Sequence, residues 1–270
     1  MFRITKNILL TLTIIITGAC SSDDDLLVST DGSIELKFDN IVGLQTSGII
    51  EEPLSQNYPF ETAQGQAYNL TLVKYIISEM ILEGPNGEYY ADSLNVSTDF
   101  LSGYYLINES EPTSRNIILE NIPAGTYNKV TFTIGVNEEG VSQGTGIFLD
   151  GMFWTWNSGY IALKVEGQSP ESNGDSFGDT IEESNPFGFG YHIGGWGSIN
   201  NNQEYRLEFD AVEINQSQYP GVHILMDVGN VFNGQNPVDF SITNSVHSPR
   251  TGNLVAKNLN DLFSIDHAHQ

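Results

Sequence analysis

Leu149-Asp150-Gly151-Met152-Phe153-Trp154-Thr155-Trp156-Asn157-Ser158-Gly159-Tyr160 is unlike the rest of the chain, and it holds two of the three tryptophans. In extended backbone, a period of two places Met152, Trp154 and Trp156 on one face. Phe153, Thr155 and Asn157 take the other. Asn157-Ser158-Gly159 is a turn signal, and Tyr160-Ile161-Ala162-Leu163-Lys164-Val165-Glu166 reads as the strand that follows. A strand, a tight turn and a second strand at the middle of the chain point to a β-protein.

The flanking sequence agrees. Ser33 to Asp39 alternates cleanly, with Ile34, Leu36 and Phe38 on the face to be buried. Gln45 to Gln66 mixes Gly, Pro, Glu and Asn and reads as a long loop. Ala67 to Ser78 is a strand pattern, and Gly84-Pro85-Asn86-Gly87 a hairpin turn. Gly103 to Ile107 and Arg115 to Leu119 are shorter strands. Val130, Phe132 and Ile134 alternate with threonines. Asn137 to Gly146 reads as a glycine-rich loop carrying Glu138 and Glu139. Gly167 to Asn185 is polar and without apolar periodicity, the pattern of an exposed, mobile insertion. Phe187 to Gly195 is aromatic and glycine-rich and contains His192. Tyr205 to Ile214 alternates, setting Leu207, Phe209 and Ala211 against Arg206, Glu208 and Asp210. Gly221 to Val228 is a strand with His223 opposite Val222, Ile224 and Met226. No helical period runs past about two turns. The expected fold is an all-β antiparallel sandwich, or a partly open barrel, with long loops.

Charge and cysteine usage exclude whole classes of function. Acidic residues outnumber basic ones 34 to 10 among 270, a formal charge of −24 that repels phosphate backbones, so no nucleic-acid partner is expected. The single cysteine, Cys20, allows neither an internal disulfide nor a cysteine metal cluster. Arg3 and Lys6 precede an apolar run from Ile8 to Ile16, too short to span a bilayer. Thr17-Gly18-Ala19-Cys20 then looks like a bacterial lipobox. It implies a leader over residues 1–19, lipidation of Cys20, a tether over 20–31 and one β-domain over 32–270. Several acyl chains suffice for stable anchoring. Ser21-Ser22-Asp23-Asp24-Asp25 resembles the acidic export signal of surface lipoproteins, and reads equally as a solvated linker.

No G-x-S-x-G, H-E-x-x-H, P-loop or helix-opening G-x-G-x-x-G occurs, and no enzyme activity is expected. Phe187-Gly188-Phe189-Gly190 sits in strand-like sequence, the wrong context for phosphate. The pairs Glu138-Glu139 and Glu182-Glu183 read as solvated charge. Without thiolates, a soft metal would need imidazole or thioether. There are five histidines: His192, His223, His247, His267 and His269. His267-x-His269 has the spacing that aims two rings to one side of a strand. His223 reads as a strand residue and His247, in a Ser-Pro-rich loop, as surface. From the residues alone, Met152, Trp154 and Trp156 read as a core stripe.

The run Gly151 to Tyr160 closely resembles the signature of the MbnP-like family, the methanobactin-associated periplasmic proteins. Asn121-Ile122-Pro123-Ala124-Gly125-Thr126-Tyr127, Thr133-Ile134-Gly135-Val136 and Tyr191-His192-Ile193-Gly194-Gly195 match it in order. The resemblance implies an extracytoplasmic copper binder, matured when a partner di-haem peroxidase of the MbnH type oxidises a tryptophan to kynurenine. The aryl amine and carbonyls so formed are donors that indole lacks. Carried over, the modified residue is Trp154 or Trp156, with Trp154 favoured. His192 becomes the first candidate ligand, His267 and His269 the second, and Met152 a soft axial ligand. The tail resembles those of Bacteroidetes members of the family. The lipobox and the acidic segment after it, with the resemblance to that branch, imply an outer-membrane lipoprotein, periplasmic or surface-facing, with a TonB-dependent transporter as a copper recipient. Some relatives carry disulfides that this chain cannot form. Two other readings stay open. One is a surface lipoprotein binding glycan or protein through Trp154, Trp156 and Trp196. The other is an adhesin stabilised by calcium through loop carboxylates.

Overall fold

A computed structural model describes residues 31–46, 57–96, 101–143, 150–173 and 187–270. The leader, Cys20 and nearly all of the tether lie outside them, as do 47–56 of the expected long loop, 144–146 of the glycine-rich loop, Leu149 of the aromatic stretch and 174–185 of the polar insertion.

The strand β1 (Gly32–Val42) forms because its apolar positions alternate: Ile34, Leu36 and Phe38 are fully buried. It is covered antiparallel by β9 (Asn116–Ile122) and, at its far end, by β2 (Gln45–Thr46). On its other side it runs parallel to β15 (Gly221–Asp227), and β15 pairs antiparallel with the C-terminal strand β17 (Phe263–His269), the edge of this five-stranded sheet.

The larger sheet has ten strands and is built on β4 (Ala67–Glu83). Its first half pairs with β12 (Gly159–Gln168) and its second with β10 (Gly125–Ile134). β3 (Phe60–Glu61), β5 (Tyr89–Ala91) and β8 (Tyr104–Asn108) add to it, and Gly84 to Gly87 turns the chain from β4 into β5 as expected. β11 (Phe153–Thr155) and β13 (Gly188–Gly194) flank β12. β14 (Gln203–Ile214) closes one edge on β10, and β16 (Ser245–Val246) pairs parallel with β13 at the other. β6 (Asn95–Val96) and β7 (Leu101–Ser102) pair separately.

The two sheets face each other across one apolar layer. Phe38 of the smaller sheet meets Phe132 of the larger edge-on at 5.6 Å. Phe263 packs between them, with ring centroids 5.1 Å from Phe132, 4.7 Å from Tyr205 and 6.1 Å from Phe38. Such edge-to-face pairs add to the burial of large ring areas. Phe263 therefore anchors the start of β17, the strand that carries the last two histidines.

The architecture is an all-β sandwich, as expected, and the sheets do not close into a barrel. They are mixed, not purely antiparallel, because β1–β15 and β13–β16 run parallel. The expected glycine-rich loop begins as a short helix, α1 (Glu138–Gln143). Asn137 nucleates it: its side-chain oxygen accepts from the Gly140 amide at 2.9 Å and from the Tyr104 hydroxyl at 2.8 Å. Other helical segments are α2 (Asn230–Asn233) and α3 (Pro249–Ala256), the latter capped by the Ser248 side chain on the Thr251 amide. Among the described residues no helix is long and apolar enough to cross a membrane. The start of the polar insertion is less exposed than its composition suggests: Gly167 and Gln168 finish β12, and Ser169 and Ser172 are buried.

Two of the family-like stretches have a structural role in this chain. Asn121 to Tyr127 turns β9 into β10, with Asn121 at φ +57° and the Tyr127 hydroxyl donating to the Pro123 carbonyl at 2.9 Å. Gly135, at φ +126°, has the Asn202 side chain where a Cβ would stand.

Candidate metal centre

On the outward face of the smaller sheet, three imidazoles meet. His223 of β15 lies directly across from His267 of β17, and His269 lies across from Gly221. One ring nitrogen of each of His223, His267 and His269 falls within 4.8 Å of the others. The His223 and His267 rings stack at 4.2 Å, and His269 stands 5.7 Å from His223 and 5.9 Å from His267.

A bulge makes this possible. Phe263, Ile265, His267 and His269 are all odd-numbered, so an unbroken strand would turn all four to one face. The ladder pairs Ile224 with Ile265 and His223 with His267, which leaves Asp266 as an extra residue. The parity switches there. Phe263 and Ile265 pack on the core, while His267 and His269 are exposed.

The surroundings shape the cluster. Nδ1 of His223 is 3.2 Å from Oδ2 of Asp39, and Lys37 Nζ is 3.2 Å from the other oxygen of that carboxylate. Nδ1 of His267 is 2.8 Å from Oδ2 of Asp266. A Cβ on Gly221 would stand 2.6 Å from Nε2 of His269 and 2.8 Å from its Cε1, so the ring lies over a bare stretch of backbone. The C-terminal residue Gln270 clamps the strand end. Its side chain accepts from the Glu213 amide at 3.0 Å and donates to the Glu213 carbonyl at 2.7 Å.

Chemically, three imidazoles suit copper, zinc or nickel, and the cluster lacks the oxygen-rich shell that calcium prefers. Among divalent ions such a site binds Cu²⁺ most tightly. Its exposure leaves room for a further ligand.

His192 is elsewhere. It is buried on β13 of the larger sheet, with Nε2 2.7 Å from Oε1 of Glu166 and Nδ1 3.0 Å from Nδ1 of His247. Both of its ring nitrogens are engaged in this arrangement. His247 is not the surface residue its loop suggested. It is half-buried and packs perpendicular to His192 at 4.3 Å.

The aromatic segment also departs from the expected single stripe. β11 has only three residues and an irregular register between Phe153 and Thr155. Met152 is sealed in a small cluster with Ile76, Tyr104, Val136, Val141, Tyr160 and Ile161, and Trp154 packs against it half-buried. Trp156 is 58% exposed and meets Phe153 edge-on at 5.2 Å. Its carbonyl accepts from Trp196 Nε1 at 3.2 Å. The tryptophans thus adjoin β12 of the larger sheet, and the three clustered histidines belong to the smaller one.

The structure therefore brings His267 and His269 together, adds His223, and leaves His192, Met152, Trp154 and Trp156 outside that group. His223 was legible only as an outward strand residue. Its partnership with His267 depends on the pairing of two strands far apart in sequence.

An open, mixed β-sandwich with an exposed three-histidine cluster is the class of protein these features define. The MbnP family model matches residues 31–248, and the chain belongs to that family. Membership points to a copper-associated extracytoplasmic protein. Among solved structures, the chain is similar to MbnP from Methylosinus trichosporium, at 13% identity and a TM-score of 0.44, over 76% of this chain and 79% of that one. No curated protein matches the chain.

Proposed function

We propose that this protein is a lipid-anchored, extracytoplasmic copper-binding protein whose metal centre is His223, His267 and His269. The observation that carries the proposal is the convergence of three imidazole nitrogens within 4.8 Å on one sheet face. The family supplies the choice of copper over other metals that imidazole suits. Cys20 is the anchor, the acidic segment after it is the tether, and the outer membrane is the location. The role is binding and handover, with a TonB-dependent transporter as recipient, and no catalytic step is assigned.

A maturation step is part of the same reading. Trp154 or Trp156 is converted to kynurenine by a di-haem peroxidase of the MbnH type. What supports it is the family resemblance of the segment, together with the exposure of Trp156, which an enzyme partner could reach. The tryptophans and the three histidines lie on different sheets, so the modified residue is read as a second, separate feature.

The test is copper stoichiometry and affinity in the full-length protein and in His223→Ala, His267→Ala and His269→Ala variants, produced with and without the peroxidase. The proposal expects one copper per chain, weakened by each substitution whether or not the peroxidase is present. Unchanged affinity in all three variants would refute the site. Intact mass decides the maturation: kynurenine formation removes one carbon and adds one oxygen, and an unshifted mass after co-expression would refute it.

A further inference from the structure

Imidazoles converge on a metal only when each ring is held in one tautomer and one rotation. Two of the three are held by carboxylates. Lys37 pairs directly with His223 in the parallel ladder of β1 and β15, and Asp39 follows two residues on, on the same outward face. From there Oδ2 of Asp39 reaches Nδ1 of His223 at 3.2 Å, while its Oδ1 takes Lys37 Nζ at 3.2 Å. On β17, Asp266 reaches Nδ1 of the adjacent His267 at 2.8 Å. His269 is placed by shape, over Gly221.

We propose that Asp39 and Asp266 are the positioning residues of this metal centre. Each accepts the Nδ1–H of its histidine and so presents Nε2 to the metal. This inference rests on the copper reading above.

The carboxylates do two things that a bare surface histidine lacks. They select the tautomer that donates from Nδ1, which leaves the Nε2 lone pair for the metal. They also draw on the Nδ1 proton, which makes the imidazole a better donor. Lys37 occupies the second oxygen of Asp39 and holds that carboxylate at the back of the ring. Asp266 is in place because it is the bulge residue. The bulge takes up this extra residue without turning His267 inward, and so sets a carboxylate beside it.

Fold stability does not account for the Asp266–His267 pair: both side chains are 50% exposed, and exposed ion pairs contribute little. The Asp39–His223 pair is less exposed, at 27% and 21%, so its part in folding is read separately from the metal-free melting of the Asp39 variants.

The test uses Asp39→Ala, Asp266→Ala and the two Asn variants in the full-length protein. Cu²⁺ affinity is measured by chelator competition, the copper environment by electron paramagnetic resonance, and the metal-free melting temperature by scanning. Each Ala variant should bind about 10–100-fold more weakly and show more than one copper species, as the freed ring samples both tautomers. Asn keeps an oxygen acceptor and should recover most of the loss. Metal-free melting should not move in the Asp266 variants, and in the Asp39 variants affinity should fall by more than any loss of metal-free stability. The inference is overturned if both Ala variants bind within twofold of wild type. It is also overturned if Asn is no better than Ala, or if affinity falls only where metal-free stability falls in step. A wild-type protein that takes up no copper would refute the underlying copper reading instead.

Discussion

Gly221→Ala should separate copper binding from folding. Gly221 sits in β15 directly across from His269, and its φ lies outside the left-handed region, so its backbone conformation is open to alanine. A methyl there would stand 2.6 Å from Nε2 and 2.8 Å from Cε1 of His269. Ordinary contact begins near 3.4 Å, so the ring tip must retreat by at least about 0.8 Å, several times the ~0.2 Å tolerance of a metal–nitrogen bond. His269 is exposed, so its ring can swing aside cheaply. Replacing glycine within a strand also restricts the unfolded chain, which favours folding by about 0.4–1 kcal/mol. Metal-free stability should therefore hold or rise slightly. Copper affinity should fall at least about tenfold, or ~1.4 kcal/mol, as the centre drops from three imidazoles to two. Urea unfolding of the metal-free protein and chelator competition measure the two effects separately. Affinity within twofold of wild type would show that His269 is not a ligand, because a ligand displaced that far cannot still bind.

Deleting Asp266 should be tolerated. The ladder on either side already pairs Ile224 with Ile265 and His223 with His267, so removal leaves a regular strand with both histidines still outward. Copper affinity of the deletion variant should match that of Asp266→Ala, and complete loss would contradict the bulge assignment. A second expectation concerns base. Burial, reinforced by Glu79 and Glu139, pushes the Tyr104 hydroxyl up to about 12 from its ordinary 10, and burial raises Tyr75 and Tyr191 as well. A raised pKa means the folded chain holds the proton more tightly than the unfolded one. The stability this gives is complete below pH 10 and lost as pH rises through about 12. Tyrosinate absorbance of the buried set should appear together with loss of β-sheet circular dichroism in that range. Ionisation of those tyrosines near pH 10 with the fold intact would contradict it.

Much of the sandwich could be read from alternation, and the exceptions are places where alternation breaks. Ile34, Leu36 and Phe38 in β1, and Val130, Phe132 and Ile134 in β10, are buried as their spacing requires. In β4 the residues that join the main core run Tyr68, Leu70, then Val73, Tyr75, Ile77, then Met80, Leu82. The parity shifts at Thr71 and again near Glu79, whose φ is +55°. In β14, Ala211 is exposed and Val212 and Ile214 point inward, past a register shift that propensity does not announce. The site follows the same rule. The spacing of His267 and His269 showed that they share a side. Which side, and that His223 would join them, depended on one bulge and on strand pairing. The burial of His247 is not legible in its Ser-Pro-rich loop, which says nothing about the buried His192 it packs against. The aromatic segment gave the family, but its tight turn breaks the stripe that a straight strand would have made.

The most direct measurement is the anomalous scattering of copper in crystals of the loaded protein. One peak is expected about 2.0 Å from nitrogens of His223, His267 and His269, with Asp39 and Asp266 still on the Nδ1 atoms behind two of them. A peak instead beside Trp154, Trp156 or His192, with His223, His267 and His269 unligated, would contradict this metal centre.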